Sequence, residues 1–192
     1  MQITKFYQDF DIHIFNDESY DPGSGDHANS YDKIYGGKSP YEYSNLTKHG
    51  VRVFKDGVPY RSALLINGFG GTGIHETGLV TDIDKLLICC ADSVFCLTLP
   101  ELDLFWNTQA DMATCFEIFR YQGNYIVHGE MEISRLDQEG KIIWQCGGMD
   151  IFTTLNGKDD FKIEANKIIA TDWGDRKYII DPETGKSELL DK

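Results

Sequence analysis

Residues 85–106 read KLLICCADSVFCLTLPELDLFW, and the division of this stretch decides the fold. An apolar run meets an Asp-Ser turn, then a second apolar run, a Pro-Glu-Leu-Asp turn, and a short hydrophobic end on Trp106. A weaker copy occupies residues 125–144 (YIVHGEMEISRLDQEGKIIW), and a third occupies 167–189 (KIIATDWGDRKYIIDPETGKSEL). The starts at 85, 125 and 167 lie 40 and 42 residues apart. Further β-like runs precede the units at 78–83, 115–121 and 161–165. Four strands every 40 or so residues is the sequence signature of a propeller blade.

Two turns strengthen the alignment. Asp137–Lys141 and Asp181–Lys186 each begin on Asp and carry Gly where a positive φ is needed. The stretch Tyr178-Ile179-Ile180-Asp181-Pro182-Glu183-Thr184-Gly185-Lys186 resembles the repeat of quinoprotein-type (PQQ-like) β-propellers. In that repeat a strand ends in Leu-Asp, a Thr-Gly-Lys turn comes next, and a Trp closes the unit. Arg135-Leu136-Asp137 through Gly140-Lys141 to Trp144 is similar. Leu97-Thr98-Leu99-Pro100 through Trp106 keeps the Trp and lacks the Gly, and Leu189 stands where the third Trp would fall. The resemblance covers about residues 75–189 and implies four-stranded blades around an axis, with tryptophans packed between blades. Enzymes of this kind carry more blades and a quinone, and Cys89-Cys90 matches the vicinal cysteines of some of them. Those enzymes are exported and this chain shows no export signal, so no cofactor is expected here.

Residues 1–74 read differently. Residues 3–15 alternate around Phe6, Phe10, Ile12 and Ile14, as two short strands or one bent strand. Residues 16–50 combine turn chemistry with five tyrosines: Tyr20, Tyr31, Tyr35, Tyr41 and Tyr43. An ordered loop of this kind is often where a surface works. Val51–Phe54, Asp56-Gly57 and Val58–Ile66 form a hairpin signal. Gly68-Phe69-Gly70-Gly71-Thr72-Gly73 fits G-x-G-x-x-G literally, but a dinucleotide site needs a helix next. The residues after Gly73 are instead rich in β-branched side chains, with a strand expected over 77–83. Residues 107–113 are the one place where a helical turn is expected.

Composition narrows the function. The chain has 192 residues and a net charge of −13, with no basic stripe. Clustered Lys and Arg are what phosphate affinity requires, so nucleic acid is not an expected partner. A basic protein partner is favoured electrostatically. The five cysteines are odd in number and mostly lie in apolar runs, so they read as buried free thiols of a reducing compartment. The N-terminus lacks a signal-peptide core, and no apolar run approaches membrane-spanning length. The cytoplasm is the expected location.

Candidate chemistry is sparse. His75-Glu76 and His128-Gly129-Glu130 lie near strand starts or turns, where equivalent blade ends share one face. His75, Glu76, His128 and Glu130, joined by Glu117 or Glu132, have the donors for a divalent metal or for acid–base work. His75 falls ten residues before its unit start and His128 three after, so spacing alone does not bring them together. Asp17-Glu18, Asp21 and Asp26 lack the ordered spacing of a calcium loop.

The expected protein is a single all-β domain over 1–192, a propeller-like array of four-stranded antiparallel units. About four to five units are expected, partly irregular, with three clear repeats over 75–192. The expected function is a non-catalytic, acidic, cytoplasmic binding module for a protein partner, an immunity- or antitoxin-type protein being one version. The alternative is a metal-assisted hydrolase using the His/Glu cluster.

Overall fold

The computed structural model describes residues 1–21, 29–36, 46–68, 70–155, 157, 160–164 and 166–190. Among them the chain forms seventeen strands in four sheets. The first sheet holds β1 (Gln2–Tyr7), β2 (Phe10–Asn16), β3 (Lys33–Gly36), β4 (Thr47–Lys55) and β5 (Val58–Asn67), in the order β1-β2-β4-β5-β3. The second holds β6 (Leu79–Asp82), β7 (Lys85–Cys90), β8 (Ser93–Thr98) and β9 (Leu104–Gln109). The third runs β10 (Cys115–Tyr121), β11 (Asn124–Gly129), β12 (Glu132–Leu136) and β13 (Ile142–Gly147). The fourth runs β14 (Phe161–Glu164), β15 (Lys167–Thr171), β16 (Lys177–Ile180) and β17 (Ser187–Leu189).

The three repeats are thus three antiparallel meanders, and residues 1–74 supply one irregular unit. Residues 3–15 make two strands. Asp56 and Gly57 both take positive φ in the β4–β5 turn, as an Asp-Gly hairpin requires. The strand expected over 77–83 begins at Leu79, after a single 3-10 turn at Glu76–Gly78. That short turn is no α-helix, which removes the dinucleotide reading. The helical turn expected over 107–113 is overturned: Asn107, Thr108 and Gln109 pair with Phe95, Val94 and Ser93 as the outer strand of the second sheet. Outer strands tolerate polar residues, so weak apolar patterning misled the helical expectation. Of the loop tyrosines, Tyr20 is buried, while Tyr41 and Tyr43 lie outside the described residues.

Burial follows the sheets. One apolar cluster joins the first two sheets through Ile12, Ile14, Val51, Leu86, Ile88 and Phe95. A second joins sheets two and three through Leu87, Cys89, Val94, Trp106 and Tyr125. A third joins sheets three and four through Ile126, Ile133, Phe152, Ile168 and Tyr178. No such cluster among the described residues joins sheet four back to sheet one, so the array is open. A separate small cluster of Tyr20, Leu46, Leu64 and Ile66 packs with Tyr31 against the first sheet.

One device repeats at every interface. Trp106 Nε1 donates to the Gln138 carbonyl at 2.9 Å, and its ring lies where a Cβ on Gly140 would stand, 2.4 Å from that point. Trp144 Nε1 donates to the Pro182 carbonyl at 3.1 Å, over Gly185 in the same manner. Tyr35 on β3 plays the part for the first sheet, donating to the Leu102 carbonyl at 2.9 Å. The two glycines therefore serve twice, for positive φ and for ring contact. The fourth sheet departs from this pattern. Counting from Gly185 places Leu189 at the Trp position, but register places Glu188 there. Sheets two and three have a β-bulge before the outer strand's Trp, and sheet four has none. Leu189 therefore shares the face of Tyr178, and Glu188 faces outward beside Ile179.

Candidate functional site

The four sequence candidates do not surround one point. Glu76 pairs with Lys5 Nζ of β1 at 2.7 Å. Among the described residues no group of three or more His, Cys, Asp and Glu is arranged to hold a metal ion. Glu130 contributes through its backbone, its N–H meeting the Thr114 carbonyl and its carbonyl meeting the Phe152 N–H.

His75 and His128 are nevertheless connected, and Glu117 connects them. Glu117 Oε1 accepts from Thr77 Oγ1 at 2.6 Å, and Oε2 lies 3.0 Å from His128 Nδ1. With the Thr77 hydroxyl hydrogen given to Glu117, His75 Nδ1 is the donor in its 3.2 Å contact with Thr77. His128 Nε2 faces the Phe152 carbonyl at 2.8 Å. Burial disfavours the Glu117 charge, but the bonds from His128 and Thr77 outweigh it and hold the carboxyl below its usual range. Both His128 nitrogens thus face oxygen atoms, one of a carboxyl and one of a backbone carbonyl. The ring is 1% exposed and stacks on Phe161 at 4.5 Å, with Phe116 edge-on at 5.5 Å. His128 thus ties β11 to β10, to the β13–β14 connection and to the fourth sheet. This chain of groups joins three successive units and gives each member a local hydrogen-bonding role. The sequence offered Glu117 only as an accessory, since its place between two histidines comes from sheet packing.

A second arrangement lies along one rim, where β9–β10, β11–β12, β13–β14 and β15–β16 connect. Apart from Met1, the methionines are Met112, Met131 and Met149, and each sits in a different one of these connections. They are 66%, 37% and 72% exposed, and Trp173 in the next connection is 46% exposed. The backbone beneath them is fixed by buried carboxylates. Asp111 Oδ1 accepts from the Ala113 and Thr114 N–H groups, and Oδ2 accepts from those of Met131 and Glu132. The Met149 N–H donates to Tyr178 Oη, which donates to Asp172 Oδ2 at 2.8 Å. Burial disfavours the Asp172 charge, but hydrogen bonds from Arg176 and Tyr178 outweigh it and lower its pKa. The connections also bond to one another: Glu130 N to Thr114 O, Phe152 N to Glu130 O, and Trp173 N to Ile151 O. Soft apolar side chains are thus displayed on a rigid rim. Asp111 followed by residues whose N–H groups it caps is a readable turn signal. Its reach to Met131 is not readable, because those residues are distant in sequence.

All five cysteines are free, and all but Cys146 are buried. Burial pushes the Cys96 thiol up to about 12 and Cys146 to about 11, and raises the other three as well. Such thiols are poor nucleophiles.

Three four-stranded antiparallel sheets and one irregular five-stranded sheet, stacked side by side with a shared rim, define a β-propeller-like protein, and two solved structures, BamB and Ika8, are similar to it in fold. BamB from Moraxella catarrhalis has a TM-score of 0.51 and 11% identity, over 76% of this chain and 46% of that one. The computationally designed Ika8 protein also has 0.51, with 12% identity, over 98% of this chain and 59% of that one. The WD40 β-propeller domain of Doa1 has 0.47 and 12% identity, over 77% of this chain and 51% of that one. The chain thus spans only about half of these three proteins. No family model and no curated protein matches it. No helix among the described residues is long and apolar enough to cross a membrane.

Proposed function

We propose that this chain is a non-catalytic binding module that holds a basic protein partner on the methionine-bearing rim. The supporting observation is the rim itself: Met112, Met131 and Met149 stand exposed on backbone fixed by Asp111 and by the Tyr178–Asp172 pair. Methionine adapts its shape to a partner, and a fixed backbone lowers the ordering cost of binding. The −13 charge favours a basic partner and speeds its encounter. An immunity- or antitoxin-type role fits this chemistry. The buried free thiols support a reducing, cytoplasmic setting. The kinship to the quinoprotein-type repeat rests on Trp106, Trp144 and their partner glycines, and it concerns architecture alone.

The test is affinity capture from the native host with the wild-type chain and with Met112→Glu, Met149→Glu, Trp173→Glu combined. The expected result is a basic protein that co-purifies in stoichiometric amount with wild type and is lost with the variant. A chain that instead carries stoichiometric zinc, lost on His75→Ala, supports the metal-assisted hydrolase over the binding module.

A further inference from the structure

Four of the five arginines pair with carboxylates: Arg61 with Glu101, Arg120 with Asp82, Arg135 with Glu183, and Arg176 with Asp172. Arg52 does not. In a chain with 31 carboxylate side chains, this half-buried guanidinium on β4 makes no direct salt bridge among the described residues, and the Asp17 carboxylate is its charge partner at longer range. Its one described hydrogen bond goes from Nη2 to Asn29 Oδ1, and Asn29 relays it to Asp17. One flank lies 5.3 Å over the Phe15 ring. Nη1 and Nε carry no hydrogen bond among the described residues.

Arg52 lines a cavity of about 360 Å³ at the β4–β5 turn end of the first sheet, remote from the methionine rim. Ser30, Phe54, Pro59, Tyr60 and Arg61 line it too. The volume lies within the range of small-molecule sites, roughly 300–1,000 Å³. Asp32 also puts a carboxylate in the lining, its Oδ2 accepting from two neutral donors, the Ser62 N–H and hydroxyl. Arg61 is neutralised by Glu101 and stacks on Tyr60 at 4.6 Å. The wall thus sets the Arg52 guanidinium, with Nη1 and Nε open, and the Asp32 carboxylate beside aromatic and prolyl surface.

We propose that this cavity binds a small organic oxyanion, a carboxylate or phosphate on an apolar body, held through Arg52. A guanidinium presents paired N–H donors that match either group, and its weak hydration makes partial burial tolerable. Phe54, Pro59 and Tyr60 would contact the apolar body.

The experiment titrates benzoate and phenyl phosphate separately into the full chain at low salt, by calorimetry, with benzyl alcohol as neutral control. Saturable binding of either anion, absent with benzyl alcohol and weakened at least tenfold in Arg52→Gln, supports the site. The anion that binds more tightly identifies the headgroup. Far-UV circular dichroism and the melting temperature check that Arg52→Gln is folded. Ser30→Leu narrows the cavity without removing the cation and should weaken binding too. No saturable binding of either anion, or affinity unchanged in both variants, overturns the proposal.

Discussion

His49 on β4 is 1% exposed, and neither ring nitrogen has a hydrogen-bond partner. Backbone groups of Lys48, Thr72 and Cys89 lie close enough to favour the charged ring without closing a hydrogen bond. Burial outweighs them and lowers the pKa from 6.5 to about 4. Below pH 6.5 the unfolded chain takes this proton and the folded chain does not. Stability is therefore complete above 6.5, falls as pH drops, and levels off near 4. At about 1.4 kcal/mol per unit the loss is about 3 kcal/mol. Urea midpoints at pH 7, 6 and 5 should show this slope, and His49→Phe should flatten it. Little of this window overlaps the protonation of Glu117, Asp17 and Asp172, whose pKa values are all lowered. Asp111 gives a second residue-scale expectation. Asp111→Ala orphans four N–H groups and should cost on the order of 3 kcal/mol or more. The same substitution should weaken partner capture, because it frees the Met112 and Met131 loops together. The burial of His49 was not legible, since the sequence placed it in the 16–50 loop and the hairpin signal begins at Val51, whereas β4 starts at Thr47 and buries Lys48 through Val51 without alternation.

The element that organises the fold is the outer strand with its aromatic residue. Trp106→Ala should cost about 3–5 kcal/mol, as for a large core aromatic. Trp144 is half-buried and should cost less. Gly140→Ala adds positive-φ strain to a collision with Trp106 and should cost at least about 1 kcal/mol. Equilibrium denaturation of the three variants checks the ranking. Most of this was written in the sequence, because spacing, Asp-to-Gly turns and tryptophans are local signals. Two features were not. Residues 107–109 are polar because an outer strand has little to cover, so composition argued against β. Glu188 occupies the Trp position through a missing bulge, and residue counting cannot detect a bulge. The methionine rim was also hidden, since its members lie in separate repeats and meet only when the sheets stack.

At the scale of the molecule, each sheet leans on its sequence neighbours, so stability is distributed along the stack. The fourth sheet has one described neighbour and short strands, whereas β7 and β8 lie between two clusters. Hydrogen exchange should therefore release β15 and β16 amides before those of β7 and β8. Equal protection would mean that the sheets open as one unit. The outward row of the fourth sheet is Lys162, Ile169, Ile179 and Glu188, with Lys162 and Glu164 paired at 2.7 Å. The aromatic contact has a direction: every earlier unit offers a ring forward, and every later unit offers a turn that receives it. With Glu188 at that position, the fourth sheet receives Trp144 and offers no ring of its own. Restoring a bulge residue together with Glu188→Trp should give the fourth sheet a ring to offer, visible as association on size-exclusion chromatography.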